Sequence, residues 1–141
     1  MDVLLGDQHM KQVVALFGEA EKGGFCKPHV LHKLPQVYDL LGNPPHDSEG
    51  LFFAVQAILY NREVIYFRVV EEGFSPPEYF KGLRYLEGQE TKICALCMPG
   101  VGNPEILYAS QNVCSLHSSF LITNQKDLYD FLTAINSNFP L

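Results

Sequence analysis

Charge is scarce in this chain: Asp, Glu, Lys and Arg make up 18% of its 141 residues, against roughly 25% in a usual soluble domain. So few charges leave apolar surface with little to keep it in water, which points to burial against a partner. Basic clusters are missing altogether. Ten Lys and Arg stand against sixteen Asp and Glu, for a net charge of −6. Without a cationic surface a protein forgoes counterion release, so nucleic acid is excluded as an expected partner. No apolar run approaches the ~18 residues of a membrane span; the longest, Leu51 to Tyr60, is broken by Gln56. A membrane partner is not expected either. The start, MDVLLGDQH, lacks a basic n-region and has only Val3 to Leu5 as an apolar run, so no secretory signal is expected. Four cysteines without such a signal read as thiols or metal ligands in a reducing compartment, and a cytoplasmic location, bacterial or host, follows. Repeats, linkers and low-complexity stretches are missing too, which makes residues 1–141 one expected domain.

What is abundant is aromatic and aliphatic residues, with ten Phe and seven Tyr. The stretch Leu51 to Val70, LFFAVQAILYNREVIYFRVV, reads as a β-hairpin turning at Asn61-Arg62, with Ala57 opposite Tyr66 and Val55 opposite Arg68. Neither face of that hairpin is polar, so it needs cover on both sides. Before it, Asp7 as N-cap with Met10, Val13, Val14 and Phe17 predicts a helix closed by Gly23-Gly24, and Pro35 to Leu41 predicts a short second one. After it, Ser75-Pro76-Pro77-Glu78 opens a helix to about Glu87, in which Gly82 is a weak spot. Thr91 to Met98 and Glu105 to Ser110 read as paired strands around a Pro-Gly turn. Phe120 to Thr123 reads as a last strand, and Asn124 caps a final helix carrying Leu128, Phe131, Leu132 and Ile135.

The resulting order, α-α-β-β-α-β-β-β-α, implies an α+β fold: one domain with a five-stranded, mainly antiparallel sheet packed with three to four helices. In element order this resembles the roadblock and longin-like modules, and in size and acidity the type III secretion chaperones. Those resemblances imply an adaptor or a holder of extended client segments.

One motif stands out. Cys94-x2-Cys97 followed by Cys114-x2-His117 has the spacing of two zinc clips. Its context is apolar, and on a strand Cys94 and Cys97 would point to opposite faces, so buried thiols are the competing reading. Zinc is thus the one cofactor the sequence suggests, and a Cys114–His117 pair its candidate for thiolate chemistry. Cys26, His29 and His32, and His46 with Asp47 and Glu49, read as solvated loop and turn residues. Arg68, inside the hairpin, calls for a carboxylate of this chain or of a partner if it is buried, and otherwise reads as an exposed edge residue. With no catalytic set in view, the expected function is a non-catalytic protein–protein interaction module, self-associating as a homodimer or binding another protein. A small zinc- or cysteine-dependent protein and a chaperone-like client binder are the alternatives.

Overall fold

Val13 to Gly18, VVALFG, is apolar without interruption, and every one of its six residues is buried. Such a run suits a strand covered on both faces, and it forms the centre of the sheet. The computed structural model describes residues 11–137. Asp7 and Met10 of the expected first helix lie outside them, and its remainder is β1. In chain order the elements are β1 (Val13–Gly18), β2 (His29–Leu31), α1 (Leu34–Leu41), α2 (Gly50–Leu59), β3 (Glu63–Arg68), α3 (Pro76–Glu87), β4 (Ala95–Cys97), α4 (Pro104–His117), β5 (Phe120–Ile122) and α5 (Gln125–Ser137). This is a single-domain α+β fold with a five-stranded sheet, as expected.

The sheet runs β2-β3-β1-β4-β5. It is mixed and mostly parallel rather than mainly antiparallel: β1 pairs in parallel with β3 and β4, β4 with β5, and only β2 runs antiparallel, to β3. The reason is that two expected strands are helices. Parallel neighbours need a crossover long enough to hold a helix, and α2, α3 and α4 supply it.

Leu51 to Leu59 belongs to α2, so no hairpin forms and only its second half, β3, is a strand. Gly50, Phe53, Ala54 and Ala57 recur at i, i+3, i+4 and i+7 and are the buried face, while Phe52 and Leu59 are exposed. Small residues on that face let α2 lie close over the sheet: a Cβ on Gly18 would fall 2.6 Å from the Gly50 Cα. Glu105 to Ser110 likewise lies in α4, not in a strand. Asn103 caps it by accepting from the N–H groups of Glu105 (2.7 Å) and Ile106 (3.2 Å) through Oδ1, and Pro104 takes the first turn. Asn124 does the same for α5, accepting from Asp127 N at 2.8 Å.

Both faces of the sheet are covered by this chain alone. On one, Val14, Leu16, Val64, Tyr66, Ala95, Cys97 and Ile122 pack against α1, α2 and α5. On the other, Val13, Ala15, Phe17, Phe67, Leu96 and Met98 pack against α3 and α4. Phe17 lies stacked between Phe67 and Tyr79, at centroid distances of 4.8 and 5.2 Å. Gly82 is the close approach that makes room for that stack: a Cβ there would lie 2.4 Å from Phe17 Cε2. Ala is the better helix former by about 1 kcal/mol, yet overpacking a tight core costs about 1–3 kcal/mol. Gly82→Ala is therefore expected to lower stability, read as a reduced midpoint in urea unfolding; an unchanged or raised midpoint would contradict this packing.

Candidate functional site

In open sheets with parallel strands, ligands bind beyond the carboxyl ends of the strands, where the chain order switches sides. Here β1 is followed by strands on either side of it, and a hollow of about 390 Å³ lies at that end, bordered by Glu19, Glu49, Glu71, Glu72 and Asp47, with His46, Phe74, Pro99 and Gly100. Five carboxylates and no Lys or Arg make it unsuited to a phosphate.

Its inner wall is occupied by the chain itself. The Glu72 carboxylate accepts from the N–H groups of Glu19 (2.9 Å), Glu49 (2.6 Å) and Gly50 (3.1 Å). It thus sits at the positive N-terminus of α2, where similar folds hold an anion. Glu19 answers it, its Oε2 accepting from Glu72 N at 2.8 Å. Below them the wholly buried Tyr66 donates its hydroxyl to Glu19 O at 2.8 Å, and Tyr79 Oη accepts from Gly73 N at 2.6 Å. Burial pushes the Glu72 carboxyl above its ordinary value, helped by neighbouring Glu19 and opposed by the three N–H bonds. His46 and Asp47 are exposed, 3.4 Å apart. Among the described residues, no group of three or more His, Cys, Asp or Glu is placed to hold a metal ion.

The four residues of the Cys-His motif are not gathered together. Cys94 and Cys97, expected on opposite faces, lie on the same one, against the α1, α2 and α5 layer, because Cys94 precedes the strand. Cys114 packs on the other side with α3 and α4. Burial raises the pKa of all three thiols, most strongly for the fully enclosed Cys97. His117 is buried with both ring nitrogens bonded to backbone: Nδ1 accepts from Ile93 N (3.2 Å) and Nε2 donates to Leu86 O (2.8 Å). It ties the end of α4 to the end of α3 and the approach to β4. Nor do Cys26, His29 and His32 converge, since His29 bonds Gly24 O (2.9 Å), His32 meets Glu63 (2.7 Å) and Cys26 is exposed.

Among the described residues no carboxylate pairs with Arg68. Its Nη1 donates to Gly23 O (2.6 Å), and its guanidinium lies 4.2 Å over the Phe25 ring, within its own chain. The arginine that sequence reasoning passed over is Arg62, assigned there to a turn. It is 5% exposed, donates from Nε to Gln12 Oε1 (2.9 Å) and from Nη1 to Tyr60 O (2.7 Å), and lies 5.4 Å over Phe131. No periodicity marks it; its burial follows from α2 being a helix.

Phe131 leads to the second hollow, a groove of about 370 Å³ between β5 and α5, lined by Phe120, Leu121, Ile122, Phe131 and Ala134 with Asp127 and Asp130. Phe120 is 66% exposed and meets Phe131 edge-on at 5.9 Å. β5 is also the end of the sheet. Phe120 and Ile122 bond to β4 through Phe120 N to Cys94 O (3.3 Å) and Met98 N to Ile122 O (2.8 Å). Parallel-strand alternation then turns the N–H and C=O of Leu121 outward, to the open edge. Among the described residues no further strand pairs with it, and no helix is long and apolar enough to cross a membrane.

Removing the Glu72 acceptor strands donors in a part-buried site, and an unsatisfied buried donor costs about 1–3 kcal/mol; Glu72→Ala is expected to lose about that much in urea unfolding. A raised folded pKa means that the folded state holds the proton more tightly. The Glu72 contribution is therefore greatest below its unfolded pKa and declines as pH rises through the folded value. Consequently the stability gap between the two proteins should narrow as pH rises from about 4; a gap that widens would reverse the assignment. No family model matches this chain, and no curated protein and no solved structure matches it either.

Proposed function

We propose that the protein is a non-catalytic interaction module that covers the open β5 edge and its neighbouring groove with another polypeptide. The observation that carries this reading is the edge itself. Phe120 stands 66% exposed and Leu121 38% exposed on a terminal strand, beside an apolar groove, with the N–H and C=O of Leu121 facing outward. Such an edge is a template for strand addition, and sheets without a partner blunt it with charge, proline or a covering loop. β5 itself carries neither charge nor proline, and its three residues leave the single outward N–H and C=O pair of Leu121 to be met. The candidates for chemistry, by contrast, are engaged in the fold: His117 in backbone hydrogen bonds, the Cys97 thiol in the core.

A benzophenone side chain in place of Phe120 tests this by photocrosslinking in cells. The expected result is a discrete covalent adduct, to a second copy or to another protein, that is absent when the probe replaces Tyr108. Tyr108 is more exposed, at 76%, but lies on α4 away from any strand edge. Adding Leu121→Pro should abolish the adduct while leaving the unfolding midpoint nearly unchanged, because an edge strand tolerates proline where its N–H faces outward. Equal labelling from both positions would sink the proposal.

A further inference from the structure

The β5 groove is apolar inside and acidic at its rim, which says what kind of chain fits it; the inference deepens the reading above and rests on it. Asp127 and Asp130, one helical turn apart on α5, are the charged residues lining it among the described residues. Both are exposed. Asp130 is paired with Lys126, 2.9 Å away and itself 82% exposed, while Asp127 Oδ2 accepts from Asn124 Nδ2 at 3.2 Å. A strand paired with Leu121 would present alternate side chains to the groove, since successive residues point to opposite faces. We infer that the occupant is an extended segment of a different protein, with an aliphatic or aromatic residue seated on Phe120 and Phe131 and a Lys or Arg two positions away, on the same face, reaching Asp127 and Asp130.

Charge complementarity also decides against a second copy. A two-fold pairing of β5 edges continues the sheet and sets the α5 layers of both copies on the same side. Each acidic rim then confronts the other, in a chain of net charge −6, and like charges brought together at an interface oppose association. A basic segment meets no such opposition.

Synthetic peptides of the pattern Thr-Lys-Thr-Phe-Thr-Leu-Thr test the inference by fluorescence anisotropy, with amide hydrogen exchange at Leu121 locating the site. The comparison peptides carry Glu in place of Lys, or the Lys moved by one position to the opposite face. The Lys peptide is expected to bind about tenfold more tightly than the Glu peptide at low salt, a gap of the size that a few rim charges supply. That gap should close in 0.5 M salt and in the Asp127→Asn/Asp130→Asn protein, with Leu121 protected by the Lys peptide. Equal binding of all three peptides would overturn the charge assignment and leave the interaction module standing. Peptides that fail to bind, beside a protein that crosslinks to itself from position 120, would make the occupant a second copy. Neither peptide binding nor an adduct at position 120 would remove both.

Discussion

The contact on which the architecture depends is the approach of two glycines. Gly18 ends the central strand and Gly50 begins α2, and a side-chain carbon on either would run into the backbone of the other, at 2.6 and 2.7 Å. Because they touch, α2 starts directly over the carboxyl end of β1. The Tyr66 hydroxyl fits against the same pair and bonds the carbonyl of Glu19. Strand β3, strand β1 and helix α2 are thereby brought to one point. From there α2 descends along the sheet on its small face, Ala54 and Ala57, leaving Phe52 and Leu59 outside.

The two ends of the sheet are finished differently. Beside β2, Arg68 of β3 stacks on Phe25 and donates to the carbonyls of Gly23 and Glu21, so that a cation, an aromatic ring and backbone close on one another at that corner, while Val30 of β2 itself stays exposed. At the β5 end the aromatic is present without the closure: Phe120 projects from the strand, and Arg62 is drawn inward over Phe131 rather than outward. Burial explains the difference, since Arg62 is held by Gln12 and Tyr60 at the opposite end of β3 from Arg68.

Much of the fold was legible in the residues. Asn124 as a cap, the Ser75-Pro76-Pro77 opening of a helix, the short helix up to Leu41 and the strands at Glu63–Arg68 and Phe120–Ile122 are local signals that tertiary structure kept. What misled was periodicity in wholly apolar segments. VVALFG and LFFAVQAIL are both apolar all round, one a central strand and the other a buried helix, and hydrophobicity cannot tell them apart. β-branched valines ahead of a glycine in the first, and small residues at 50, 54 and 57 in the second, were the distinguishing marks. The Cys-x2-Cys and Cys-x2-His spacing likewise carried no information about space, because the sheet runs between Cys97 and Cys114. The β5 groove was beyond reach for a different reason: Phe120 and Phe131 meet only through the packing of α5, and neither belongs to a motif.

Glu72 has one more consequence. At the mouth of α2 the chain supplies, from its own β3–α3 connection, the negative group that many sheets of this kind obtain from a bound phosphate. The dipole of the helix and the free N–H groups of its first turn are satisfied on folding, with no concentration term. The junction is therefore complete without a bound phosphate. Where a sheet that binds a phosphate can couple occupancy to shape, this molecule fills the seat with its own side chain.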